Sequence, residues 1–299
     1  MLTTSKQLTG YRLAAVDGSI GECKDFLIDE KHWALRYLVA DTRRWLPGRK
    51  VLISPIALDA PDHDDKTLPV ALTRQQIKDS PPLDSDAPIS RHYEQLWSLY
   101  YGHGFYWIGP GLWGGMPYPI ALRNADQRAH CDLRQEAQAL QQQHHLRSTC
   151  EVEGYQVLAS DGKLGRVGEF LFDSVDWRAR YIVIDTGQWL SGEQLVVPAQ
   201  WIASVDWFGR SVRLGKKRSV LEAAPQLVSE EALDEDFELR LARYCLEANA
   251  QVAHAGHSSV PSSRAPKDQS GKSSKAKVGR DKVEEASKQS FPASDAPSY

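Results

Sequence analysis

Displaced by 144 residues, this chain lies on top of itself, so any fold proposed for it has to use one module twice. Of the 39 ungapped positions from 10 to 48, 18 are identical to those from 154 to 192. Gly10-Tyr11 recurs as Gly154-Tyr155, Asp17-Gly18 as Asp161-Gly162, Gly21 as Gly165, Phe26-Leu27 as Phe170-Leu171 and Asp29 as Asp173. Beyond these, Trp33 matches Trp177, Arg36-Tyr37 matches Arg180-Tyr181, Asp41-Thr42 matches Asp185-Thr186 and Trp45-Leu46 matches Trp189-Leu190. Such self-similarity at a fixed period marks a duplication. Turn residues, aromatics and β-branched residues recur; no nucleophile, general base or metal cluster recurs with them.

Turn chemistry sets the secondary structure. Asp17-Gly18 and Asp161-Gly162 are the dipeptides that most readily form two-residue hairpins. Around them lie short apolar runs at 11–16, 20–29, 35–41, 51–53 and 68–72, repeated at 155–159, 164–173, 179–185, 195–197 and 211–214. Gly21 and Gly165 stand where a bulge or a close backbone approach is expected. Asp17, Gly18, Gly21, Asp161, Gly162 and Gly165 are therefore expected to shape turns. Each copy is near the lower size limit for a self-sufficient core, and a small barrel would remove the exposed edges of so short a sheet.

The ordered string of Asp-Gly, Gly, Phe-Leu-Ile/Phe-Asp, Tyr-Leu/Ile-Val-Ala/Ile-Asp-Thr and Trp-Leu-Pro/Ser-Gly, closed by Val51-Leu52-Ile53-Ser54-Pro55 or Leu195-Val196-Val197-Pro198, resembles the PRC-barrel domain. That family is similar to the cytoplasmic part of the photosynthetic reaction-centre H subunit and to the C-terminal domain of a ribosome maturation factor. The resemblance covers residues 9–79 and 153–216. It implies a mainly β protein of two PRC-type barrels in tandem, with connecting and terminal α-helices. The run from Leu72 to Pro82 and the stretch around Ser90-Arg91-His92-Tyr93-Glu94 look like tandem PRC-barrel proteins of proteobacteria; copy two keeps traces of it in Arg218, Pro225, Phe237-Glu238 and Tyr244.

The expected divisions are 1–83 (first barrel), 84–150 (aromatic segment and connecting helix), 151–216 (second barrel), 217–253 (terminal helix) and 254–299 (a polar tail too poor in large apolar residues to fold). Ser90 is placed to cap a helix running to Tyr101. Residues 122–147 read as a connecting helix, and 230–249 as a final one with Leu233, Phe237, Leu241 and Cys245 on one stripe. The regular offset and long connector predict two modules that unfold in more than one step.

Between the copies, residues 102–120 carry no Lys, Arg, Asp or Glu. Their glycines and prolines argue against a membrane span, since backbone groups would go unpaired in hydrocarbon. Phe105, Tyr106, Trp107, Trp113 and Tyr118 are residue types that dominate interfaces, and they form a candidate interaction surface, against filling between the barrels or contact at a membrane interface. Near the end of the tail, Phe291 is a candidate docking anchor.

Composition restricts the function classes. A net charge of −3 argues against a dedicated nucleic-acid binder. Cys23, Cys131, Cys150 and Cys245 share no spacing and read as free thiols. The N-terminus lacks a basic-then-apolar pattern, so a cytoplasmic location is expected. Asp29, Asp41, Asp173 and Asp185 fall at strand ends, where loop capping outweighs acid–base work, and His130, Cys131, His144 and His145 lack metal-ligand spacing. Lys216-Lys217-Arg218 is a modest basic patch. These features add up to a non-enzymatic interaction or scaffold protein without cofactor or metal, binding a protein partner or itself. The alternatives are an RNA- or ribosome-associated factor and an accessory subunit of a photosynthetic or membrane complex like the H subunit.

Overall fold

Hairpin turns at the two Asp-Gly dipeptides start two sheets of the same plan. The computed structural model describes residues 2–42, 45–47, 49–83, 89–123, 146–187, 194–227 and 233–255. Copy one contains β1 (Leu2–Thr4), α1 (Ser5–Leu8), β2 (Arg12–Ala15), β3 (Gly18–Asp29), β4 (Leu35–Asp41), β5 (Val51–Ile53), β6 (Thr67–Val70), α2 (Arg74–Asp79) and α3 (Arg91–Tyr101). Copy two contains β7 (Leu146–Ser148), α4 (Thr149–Val152), β8 (Gln156–Ala159), β9 (Gly162–Asp173), β10 (Ala179–Asp185), β11 (Gln194–Pro198), β12 (Ile202–Asp206), β13 (Ser211–Leu214), α5 (Arg218–Leu221) and α6 (Glu235–Ala255). The protein is mainly β, with mixed sheets ordered β5-β4-β3-β2-β6 and β11-β10-β9-β8-β13-β12. In each, the first hairpin strand also pairs in parallel with the last strand of its copy, β2 with β6 and β8 with β13. Among the described residues the hydrogen bonding does not close either sheet into a barrel.

The copies are joined by exchange. β1 opens copy one yet pairs antiparallel with β9 of copy two, Leu2 facing Asp173 and Thr4 facing Leu171. β7 opens copy two and pairs with β3 of copy one, Leu146 facing Asp29 and Ser148 facing Leu27. Both registers are the same once 144 is subtracted. A capped turn of helix then carries the chain across to its own sheet: the Thr4 side chain accepts from Gln7 N before α1, and the Ser148 side chain from Glu151 N before α4. Between the copies, Leu35 N donates to Trp177 O at 2.8 Å and Ala179 N to Trp33 O at 2.7 Å, a pair of bonds related by the same offset. The arrangement is an internal pseudo-dimer.

The core follows the exchange. One cluster takes Phe26, Ile28, Trp33 and Leu35 from copy one and Phe170, Phe172, Trp177 and Ala179 from copy two. Phe26 lies 5.8 Å from Phe172 and Trp33 6.1 Å from Phe170, centroid to centroid. On the outer faces, α3 places Trp97 against Leu27, Tyr37 and Leu52, and α6 places Phe237 and Leu241 against Leu171, Val183 and Val196. The final helix is thus the counterpart of α3. The described residues lie within one compact unit.

The expected connecting helix falls mostly outside the described residues. Leu146 and Arg147, expected to end it, instead begin β7, because β3 offers unpaired backbone groups there and a strand satisfies them. The tail from 256 onward also lies outside the described residues. No helix among the described residues is long and apolar enough to cross a membrane.

Candidate functional site

The repeated turn residues frame two equivalent grooves. Asp17 Oδ1 accepts from Arg74 N at 2.7 Å, and Asp161 Oδ1 from Arg218 N at 2.8 Å, so each Asp anchors the helix that follows its sheet. Gly18 and Gly162 carry φ of 139° and 157° at the hairpin. At Gly21 and Gly165 the opposite strand comes so close that a Cβ would overlap the carbonyl oxygen of Asp41 or Asp185. The strands part beside these contacts, leaving grooves of about 550 Å³ in copy one and 480 Å³ in copy two. Their floors share Gly21 and Gly165, Asp41 and Asp185, Thr42 and Thr186. The walls do not match: Arg12, Ser19 and Glu22 in the first become Gln156, Lys163 and Arg166 in the second.

A third cavity, of about 280 Å³, belongs to copy one alone. Ser90 caps α3 by accepting from Tyr93 N, and Gly102 ends the helix in the left-handed conformation at φ 68°. The chain then folds back over the turn between β3 and β4. There Arg36 Nε donates to Asp29 Oδ2 at 2.6 Å and Nη1 to Leu112 O at 2.8 Å, while its Cζ lies 4.0 Å from the Tyr106 ring centroid and 4.7 Å from that of Trp113. Beside it, Arg91 Nη1 lies 2.8 Å from Glu94 Oε2 and donates to the Tyr106 hydroxyl at 3.0 Å, which in turn donates to Glu94 Oε1 at 2.6 Å. Trp107 covers Arg91, with Cζ 4.3 Å from its ring centroid.

Burial sets the electrostatics of this cluster. It works against the Asp29 charge, but the Arg36 guanidinium and the His32 side chain and backbone N–H outweigh it and hold the carboxyl below the usual range. Burial pushes the Glu94 carboxyl up against the pull of Arg91 and Tyr106. It also lifts the Tyr106 hydroxyl well above its ordinary value, with the Glu94 charge adding to the effect. Copy two has the same Asp and Arg without such cover among the described residues. The Arg36 side chain is 2% exposed, and its counterpart Arg180, bonded to Asp173 and Asp176, is 41% exposed.

The uncharged segment therefore serves largely as packing. Phe105, Tyr106 and Trp113 are buried, and Trp113 Nε1 donates to Asp176 O at 2.7 Å, tying the segment to copy two. Trp107 is half-buried. Tyr118 is exposed beside Met116 and Ile120 and, with Val175, borders a shallow apolar cavity. Phe291, His130, Cys131, His144 and His145 lie outside the described residues. Among the described residues no group of three His, Cys, Asp or Glu side chains could hold a metal ion. The sequence reading passed over the Arg36–Arg91 cluster. The available signal was the neighbouring uncharged segment, which has to lie on something.

His103 opens the segment, buried against the rings of Trp97 and Tyr101, and burial pulls its pKa down to about 4. Between the unfolded value of about 6.5 and pH 4 the unfolded chain binds a proton here that the folded chain refuses, so stability declines as pH falls through that window. His103→Phe is expected to remove about 2–3 kcal/mol of the loss between pH 7 and 4.5. Urea denaturation of both proteins at the two pH values checks this; parallel pH profiles would refute it.

No protein-family model matches this chain, and a search of the curated proteins finds no match.

Proposed function

We propose that this chain is a non-enzymatic interaction module, two PRC-type barrels fused into one pseudo-dimer whose paired grooves hold a protein partner. The observation that carries the reading is the retained groove. Both copies keep the same floor at Gly21 and Gly165, while the exposed wall residues diverge. A duplicated surface of common shape and differing charge suits two unlike segments of one partner, and fixed spacing raises the effective concentration of the second contact. The exchanged strands supply that fixed spacing.

A photo-crosslinking residue placed at Ser19 or at Lys163 in the full chain, expressed in the native host, tests this. One partner is expected from both positions, with capture lost on Arg12→Glu in the first groove and on Lys163→Glu with Arg166→Glu in the second. All three residues are exposed, so the melting temperature should stay put. Absence of any specific crosslink at both positions, or capture indifferent to charge reversal, would overturn the reading. The second groove also favours an RNA-linked role, because Lys163, Arg166 and Arg218 face only Asp185 among its charged lining residues. Ribosome co-sedimentation that falls with salt and vanishes on Lys163→Glu with Arg166→Glu would select that role.

A further inference from the structure

The cavity beneath the aromatic segment is unlike the grooves: it is smaller, lined by residues of copy one and the segment after α3 alone, and rich in cations. Lys31, Arg36 and Arg91 stand against Asp29 in its lining, and counting Glu94, which pairs with Arg91, one positive charge is left over. Two of its lining residues also carry buried donors, Arg91 Nη2 and Trp107 Nε1, that have no hydrogen-bond partner among the described residues. Both atoms are screened from water, and an unmet buried donor is costly, more so on a charged group. The missing partner is an acceptor, and the leftover charge says that it is anionic.

We infer that this cavity binds a small organic monocarboxylate whose two oxygens are received by Arg91 Nη2 and Trp107 Nε1. A single excess charge matches a carboxylate better than a phosphate dianion, and donors on two neighbouring groups suit its paired oxygens. The volume, at the low end for ligand sites, fits a small metabolite and excludes a peptide or nucleotide. Tyr106 and Trp107 supply an apolar wall for the ligand's body. Binding requires the half-buried Trp107 ring to move off the guanidinium, so that both donors reach the cavity. The mouth is formed by the exposed turn at residues 109–111 and by Lys31. A side chain at Gly109 would strike the Gly114 backbone, so the tight turn of the lip depends on glycine there. Copy two has Glu235 at the position of Arg91 and cannot build such a site.

Benzoate, phenylacetate and indole-3-acetate are suitable probes, titrated into the full chain with tryptophan fluorescence and calorimetry as readouts. At least one is expected to bind with Kd below about 1 mM, and benzamide, the neutral isostere of benzoate, at least about tenfold more weakly. Trp107→Phe keeps a ring over Arg91 but deletes the N–H, and should weaken binding about tenfold at an unchanged melting temperature. Lys31→Gln should cost less and make binding less sensitive to salt. Arg91→Lys should also abolish binding, but because Arg91 anchors Glu94 and Tyr106 the decision rests on Trp107→Phe. No binding by any of the three carboxylates, equal affinity for benzamide, or an indifferent Trp107→Phe variant would overturn the inference. Saturable binding of inorganic phosphate alone would equally refute the carboxylate assignment.

Discussion

Expressed separately, residues 1–123 and 146–255 are each expected to lack a cooperative melt, and to recover one on mixing. The reason is the exchange: each half carries the strand that completes the other's sheet, β1 on β9 and β7 on β3. Apart, the halves also lose the Leu35–Trp177 and Ala179–Trp33 hydrogen bonds, and one bares Phe26 and Trp33 while the other bares Phe170 and Phe172. A domain of this size has only about 5–15 kcal/mol of net stability, and exposing two aromatic side chains at roughly 2 kcal/mol each, on top of the lost strand pairing, removes a large share of it from each half. The intact chain should then unfold in one step rather than module by module. Circular dichroism and amide exchange on the halves, alone and mixed, decide the matter. A half that melts cooperatively by itself within about 5 °C of the intact protein would show the copies to be autonomous.

The sequence was legible where local rules govern. Asp-Gly dipeptides located the hairpins, short apolar runs located β2 to β6 and their counterparts, and Ser90 with Tyr93 and Trp97 located α3. It was illegible where three residues act at long range. Leu2–Thr4 and Leu146–Ser148 are too short for a period, and nothing local says that each pairs across the duplication. β12 escaped for a similar reason: Ile202–Asp206 mixes apolar with polar residues, none of them buried, and is held as one arm of a hairpin with β13. The uncharged segment showed that something would be covered, but lacked the periodicity to say what. Identical Asp-Arg pairs in the two copies gave no hint that one would lie under that segment and the other in water. That difference depends on the uncharged segment that follows α3.

The same difference yields the sharpest paired mutation. Arg36→Met is expected to destabilise the protein by about 3–5 kcal/mol, because it leaves the Asp29 carboxylate buried without its cation. Arg180→Met, the equivalent change 144 residues on, should cost no more than about 1 kcal/mol, since Asp173 and Arg180 meet in solvent. Adding Asp29→Asn to Arg36→Met should recover part of the loss by removing the stranded charge. The Asp29 side chain would still accept from the Lys31 and His32 backbone N–H groups through its remaining oxygen. The pH dependence separates a charge effect from a packing effect. In the native protein Asp29 is depressed, so its contribution is complete above the unfolded carboxylate value of about 4 and is lost as pH falls below it. Without Arg36, burial dominates and the folded pKa rises above the unfolded one, so Arg36→Met should gain stability relative to the native protein as the medium is acidified. Urea midpoints of the two single variants and the double variant between pH 7 and pH 3 measure this. Equal losses for Arg36→Met and Arg180→Met, or a deficit that does not change with pH, would mean that the segment covers Arg36 without making its charge matter.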